Sequence, residues 1–278
     1  MCARRLRQRL AWSRRVDEQR DFSDPNVFHD YLQELEGLYE PPWSVYDEIA
    51  KSVSSYGVTE VYDYGCGTGL LAARLQALPG PSVTYYGLDI DPLRCRFAAK
   101  QRYFRDNAVF AYEPAVFEEW LSLSASAALV LSFCLHDQSS LDEILHLVDS
   151  YAIELVIAWD LTSEDLPYLT TLLRSNFGQS SGIEPRQRIL DLRGALRERG
   201  YDIGASRWQT HRIIFPDHGA VMSYIRAFGI DRGADLALVD ISHDSRLGDR
   251  LRHVLGSEPY PLTDLRQFLC VEAISWRT

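Results

Sequence analysis

Two short stretches carry residues whose types and spacing could do chemistry. The first is Val61-Tyr62-Asp63-Tyr64-Gly65-Cys66-Gly67-Thr68-Gly69. A β-branched and aromatic run ends there in three alternating glycines, and the helix-forming Leu70-Leu71-Ala72-Ala73-Arg74-Leu75 follows. Glycines permit positive φ and a close approach of backbone to a ligand. A helix that begins after such a turn offers free N–H groups. The second stretch begins at Asp89, twenty residues beyond Gly69. A carboxylate at the end of the next strand can accept hydrogen bonds from both hydroxyls of a ribose. Turn and acid together point to a nucleoside-containing ligand at the carboxyl edge of a sheet. The plain structural alternative is a tight βα turn at Gly65, Gly67 and Gly69, with Asp89 capping a helix.

The pattern also separates nucleosides from one another. A dinucleotide turn reads GxGxxG, whereas here the spacing is GxGxG and position 70 is Leu70. Asp63 stands two residues before the first glycine. Its charge would repel a pyrophosphate and attract a ligand with a cationic amino group. S-adenosylmethionine has an ammonium and a sulfonium and no phosphate.

Further candidates lie where later strands should end. His136-Asp137 follows the apolar run from Ala127 to Phe133. His136 can take a proton near neutral pH, or it is a packed wall residue while Asp137 caps the next helix. Asp160, at the end of a fifth strand, either orients an acceptor amine or hydroxyl or is a helix N-cap. His211 reads more readily as a core histidine than as a base. Tyr31, Tyr39, Trp43 and Tyr46 crowd the N-terminal segment, where they serve ordinary helix packing or face a sulfonium. Met222, Tyr224 and Phe228, in "FPDHGAVMSYIRAF", form an acceptor-pocket wall or simple core.

These residues need a scaffold, and the periodicity supplies one. Asp24-Pro25 is an N-cap followed by Pro at the first helical position, and Leu32, Leu35 and Leu38 recur at helical spacing. Glu40-Pro41-Pro42 breaks that helix, and a second is predicted over Ser44 to Ser54. Strands are predicted over 58–64, 82–88, 108–112, 127–133 and 155–159. Helices alternate with them over 70–75, 93–105 and 139–150. A further helix is expected over 185–199, with late strands near 203–214 and 268–276. Such alternation implies right-handed βαβ crossovers and a mostly parallel sheet. The expected domains are a helical N-terminal cover (1–55) and the ligand-binding α/β domain (56–278). A helical insertion of about 215–265 precedes the last strand and is too long for a plain turn.

"VYDYGCGTG" resembles the first motif of the class I S-adenosylmethionine-dependent methyltransferases, and "YYGLDIDP" resembles their second. The resemblance runs from about Val58 to Trp276. It implies a Rossmann-like seven-stranded sheet, mostly parallel, with an antiparallel last strand. It implies further that Asp63, Gly65 and Gly67 surround the methionine part of the cofactor, with Gly69 of the same turn also binding it, that Asp89 holds the ribose, and that Ile90 packs on adenine. Glu113 would stand near the adenine amine. "ALVLSFCLHD" is similar to the family's fourth strand and loop, which would place Ser132 in the pocket. The N-terminal helices would form a lid. The sequence departs from the pattern at Ala127 and Ala128, where an acid is common. It also has no NPPY-type motif, which argues against methylation of exocyclic amines on nucleobases or glutamine.

Composition narrows the partners. The net charge of −10 argues against nucleic acid, which calls for a positive field. An Arg-rich stretch, Arg4 to Arg20, is the local exception and reads as a solvated helix or a binding arm. The cysteines number five, an odd count without a CxxC pair, so a disulfide framework or structural zinc is not expected and a reducing cytoplasm fits. No metal site is expected, no signal peptide is visible, and no apolar run is long enough for a membrane. The expected function is methyl transfer from S-adenosylmethionine to O, N or C of a small-molecule acceptor. Three rivals stand beside it. One is a non-methylating use of S-adenosylmethionine, by cyclisation or aminocarboxypropyl transfer with release of methylthioadenosine. The others are an NAD-dependent oxidoreductase and a non-catalytic partner protein with the same fold.

Overall fold

The computed structural model describes residues 20–78, 83–101, 107–135, 138–161, 168–169, 171–172, 188–204, 206–227 and 253–275. The chain divides into two compact units. One comprises 1–43, 164–185 and 210–266, and the other 44–163, 186–209 and 267–278.

The larger unit is built on a sheet whose strands read as the alternation predicted. Strands β2 (Glu60–Tyr64), β3 (Thr84–Leu88), β4 (Ala108–Ala111), β5 (Ala127–Ser132) and β6 (Ile153–Leu161) lie in the order β6-β5-β2-β3-β4, all parallel. The order reverses between β2 and β5, the kind of switch point where open α/β sheets bind ligands at the carboxyl ends of their strands. The last strand, β9 (Leu262–Ser275), runs antiparallel to β6. The short β7 (Tyr201–Ile203) pairs antiparallel with β9. This is the Rossmann-like arrangement expected, with its antiparallel final strand.

Helices cover both faces because the strands are apolar on both. Tyr62, Leu88, Leu129, Leu131, Val156 and Ala158 bury one face. Their cover comes from α5 (Pro114–Leu123), α6 (Gln138–Ser150) and α7 (Arg188–Glu198), through Phe117, Leu121, Ile144, Leu147, Leu192 and Leu196. α2 (Val45–Tyr56) packs beside α3 (Leu70–Ala77) and contacts β6. Ser44 caps α2, and Gly57 ends it in a left-handed conformation with φ 66°. α4 (Pro92–Ala99) begins on Asp91, whose side chain accepts from the Leu93 N–H, with Pro92 in the first turn.

In the smaller unit, α1 (Pro25–Glu36) starts on Asp24, which accepts from the Asn26 N–H. The two-residue β1 (Tyr39–Glu40) pairs antiparallel with Ile213 and Arg212 of β8 (Arg207–Phe215). α8 (His218–Ala227) buries Val221, Met222, Tyr224 and Ile225.

Several elements differ from the sequence reading. The expected strand near 203–214 is two strands, β7 and β8. The two short strands β1 and β7 are additional to the seven expected. Helix α5, absent from the sequence reading, occupies 114–123. Of the expected helical insertion, 218–227 and 253–256 are helix and 262–265 is strand, while 228–252 lie outside the described residues. The last strand starts six residues before the expected Phe268, and its buried positions there include the polar Asp264 and Arg266. An apolar pattern does not reveal such a strand. Among the described residues no helix is long and apolar enough to cross a membrane.

Candidate active site at the carboxyl edge of the sheet

The glycine turn leaves β2 by folding onto β3. The N–H groups of Gly65 and Cys66 both donate to the Leu88 carbonyl, each at 2.8 Å. Gly65, Gly67 and Gly69 all have positive φ, at 84°, 54° and 81°, which is why side chains are disfavoured there. Their surroundings differ. A Cβ on Gly65 would lie 2.8 Å from Cys134 Cβ, so that position is closed by packing. A Cβ on Gly67 would meet nothing nearer than Asp89 Oδ2 at 4.0 Å, so that position faces room. Gly69 is the N-cap of α3 and has no capping side chain.

Asp89, just past β3, is buried and uses both oxygens. Oδ2 accepts from the Gly67 N–H at 2.8 Å, and Oδ1 accepts from the Asp91 N–H at 2.9 Å. Thus the first sequence motif and the second meet in one cluster. Helix capping at the start of α4 falls to Asp91.

Asp63 lies on β2 and is 1% exposed. Its Oδ2 accepts from the Tyr85 hydroxyl of β3. Its Oδ1 is buried and has no hydrogen-bond partner among the described residues. Burial is the main cause that pushes the Asp63 carboxyl up to about 7, with the nearby Asp89 charge adding to it and the Tyr85 hydroxyl opposing it. An ionisable oxygen in this position calls for a cationic or donor partner.

A third carboxylate joins these two. Asp160 on β6 is 1% exposed. The thiol of Cys134, just past β5, is held well above its usual range by burial first, and then by the charges of Asp160, Asp63 and Asp89. Three buried carboxylates from β2, β3 and β6 therefore act on one point. Such a site attracts positive charge and repels a pyrophosphate.

Ser132 ends β5 and is buried beside this edge. Phe133 follows with φ 58°, the one non-glycine with positive φ among the described residues, and its N–H donates to the Trp159 carbonyl at 2.9 Å. A bulky residue held in that region marks a constrained loop. Ile90 is 81% exposed. Glu113 is exposed and is the N-cap residue of α5 without a side-chain capping bond. His136 and Asp137 lie outside the described residues. In the smaller unit, His211 stacks on Trp43 at 3.9 Å between ring centroids, with Tyr39 edge-on to both.

The sequence reading missed Tyr85 and the thiols beneath the turn. Cys66 packs where a Gly87 side chain would stand, since a Cβ there would lie 2.9 Å from Cys66 Sγ. Cys95 of α4 reaches the Asp89 and Ala111 carbonyls at 3.2 and 3.0 Å. The signal for Tyr85 was strand register. Asp63 pairs with Gly87, so Tyr85, two residues earlier, shares its face of the sheet.

No protein-family model matches the chain, and no curated protein matches its sequence. Solved structures resemble it. The magnesium protoporphyrin IX methyltransferase of Synechocystis with bound SAH is 17% identical, with 94% of this chain and 92% of that chain covered and a TM-score of 0.48. A SAM-dependent methyltransferase from Geobacter sulfurreducens, in complex with S-adenosyl-L-homocysteine, is 12% identical over 82% of this chain and 90% of its own, with a TM-score of 0.44. The [4+2]-cyclase SpnF is 14% identical over 82% and 81% of the two chains, with a TM-score of 0.44. Likeness at this level is one of fold and carries nothing about this chain's reaction.

Proposed function

We propose that the protein binds S-adenosylmethionine at the carboxyl edge of β2, β3 and β5 and transfers its methyl group to O, N or C of a small molecule. The observation that carries this reading is the buried, unpartnered Oδ1 of Asp63 among three buried carboxylates, beside a glycine turn that is open at Gly67. The site chemistry fits the ligand. A ligand with an ammonium and no phosphate satisfies Asp63, whereas a nicotinamide dinucleotide would bring a pyrophosphate into negative charge.

In this reading Asp63, Gly65, Gly67 and Gly69 hold the methionine part, and Asp89 the ribose. The exposed Ile90 covers adenine, with Glu113 near its amine, and Ser132 lines the pocket. S-adenosylmethionine supplies an activated methyl carbon. The chain's own task is to align the acceptor with that carbon and keep water out. His136 takes a proton from acceptors that must lose one, while Asp137 and Asp160 orient it or the acceptor. The acidic composition favours a small molecule over nucleic acid as acceptor.

The test is mass spectrometry of the purified protein incubated with S-adenosylmethionine, alone and with a small-molecule extract of its host. The expected result is S-adenosylhomocysteine formed only with extract, together with a methylated acceptor. Methylthioadenosine would instead show that the aminobutyrate arm reacts, and would overturn methyl transfer.

A further inference from the structure

We propose that Tyr85 is a positioning residue of this ligand site: its hydroxyl fixes one oxygen of Asp63 so that the other, Oδ1, is presented to the ammonium of the ligand, and it sets the pH above which that affinity is full. The inference rests on the S-adenosylmethionine reading and adds to it a control that the motifs do not contain.

The geometry is specific. Tyr85 is fully buried on β3, with its ring against Phe110 at 5.6 Å between centroids. Its hydroxyl donates to Asp63 Oδ2. The opposing position on β3 is Gly87, which has no side chain, so the phenol reaches diagonally across the same face. With Oδ2 held, the carboxyl plane of Asp63 is set and Oδ1 is the oxygen left over.

The groups around Asp63 decide how it titrates. From β3 come the Tyr85 hydroxyl, which favours the carboxylate, and the Asp89 carboxylate, which opposes it. The Cys66 thiol of the glycine turn and the Cys134 thiol after β5 are both held neutral by burial. Asp160 of β6 acts on Cys134, and Tyr46 of α2 acts on Tyr85. Among the described groups that act on Asp63, the Tyr85 hydroxyl is the one that favours the negative charge on which the ligand's ammonium depends. Removal of the hydroxyl raises the Asp63 titration and moves ligand binding to higher pH.

The experiment is calorimetry of S-adenosylhomocysteine, which keeps the ammonium, on wild type and Tyr85→Phe from about pH 5.5 to about pH 8.5, a span that brackets a carboxyl titrating near neutrality. Wild-type affinity should rise by about tenfold per pH unit on the acid side and then level off. In Tyr85→Phe the plateau should begin at least about half a pH unit higher, so affinity at the acid end falls about threefold or more beyond any loss on the alkaline plateau. A loss by the same factor at every pH would reduce Tyr85 to a packing residue and overturn the proposal.

Ligand-free protein gives an independent reading. The Asp63 carboxyl carbon, assigned by difference from Asp63→Asn, should titrate at higher pH in Tyr85→Phe than in wild type. Equal midpoints would overturn the positioning role even if ligand binds. Absence of binding by wild type at any pH would instead remove the ligand reading, while the carbon titration still judges Tyr85. Should Tyr85→Phe not fold, wild type alone decides: a downfield Tyr85 hydroxyl proton must move with the Asp63 midpoint, and its absence sinks the idea.

Discussion

Gly67 donates its backbone N–H to Asp89 Oδ2 at 2.8 Å, so the glycine turn after β2 and the acid after β3 form one piece of structure. The other oxygen of Asp89 holds the Asp91 N–H at the start of α4. Asp89→Ala strands both donors and removes the ribose partner. It should weaken S-adenosylmethionine binding by about 1–3 kcal/mol. Calorimetry checks this, and an unchanged affinity would remove Asp89 from the site.

The glycines of the turn should separate stability from binding. Gly65→Ala combines a left-handed backbone with a clash against Cys134 and should destabilise the fold by roughly 2–4 kcal/mol. Gly67→Ala meets open space and should cost only about 1 kcal/mol of stability. Its methyl group would nevertheless enter the space next to Asp89, and ligand affinity should fall more than for any equally stable variant outside the turn. Urea denaturation and calorimetry on both variants give the two numbers. Similar stability of the two would contradict the packing at Cys134.

Asp63 should trade stability for binding. Burial raises its carboxyl to about 7 from the usual 3.8. The folded state therefore keeps a proton that the unfolded chain has released. The stability this contributes is fully present below 3.8 and is lost as pH rises through about 7. Asp63→Asn removes the ionisation and should exceed wild type in stability at alkaline pH by on the order of 2 kcal/mol, an excess that shrinks as pH falls towards 3.8. It should also lose most ligand affinity. Denaturation at about pH 5 and about pH 8 tests the first part, and equal stability at both would mean that Asp63 titrates normally.

Away from the turn, Glu272 of β9 gathers three oxygen and nitrogen donors, with the Cys270 thiol a longer fourth at 3.8 Å. It accepts from Ser52 Oγ at 2.6 Å, Tyr56 Oη at 3.0 Å and Arg207 Nη2 at 2.6 Å. Glu272 is buried, whereas the Arg207 side chain is 42% exposed. Glu272→Ala should cost about 2–4 kcal/mol, because it strands the hydroxyls and the guanidinium together. Arg207→Ala leaves the carboxylate two hydroxyls and partial contact with water, and should cost about 1–2 kcal/mol. The reverse ranking in urea denaturation would show that Arg207, not Glu272, anchors the cluster.

His136→Ala should slow turnover with little change in S-adenosylmethionine affinity, if His136 takes the acceptor's proton. Steady-state rates beside calorimetry separate the two. Full activity would make it a wall residue.

The sequence by itself determined what short-range chemistry controls. Asp24 as a cap, the strand-to-glycine-turn unit at 60–69, and Asp89 at the end of β3 each follow from neighbouring residues alone. So does the alternation that yields a parallel sheet, because it depends on local period. Tertiary structure decided the rest, through partners far apart in the chain. Asp264 fell in the expected helical insertion and Arg266 before the expected last strand, yet both are buried in β9. Asp264 accepts from the N–H groups of Tyr168 and Leu169, and Arg266 donates to the hydroxyl of Tyr39. β1 exists only because Ile213 and Arg212 pair with it. Tyr85 alone is one aromatic among fifteen tyrosine and eleven phenylalanine residues. Its bond to Asp63 appears once β2 and β3 are in register, since strand register sets which side chains share a face and sequence spacing does not.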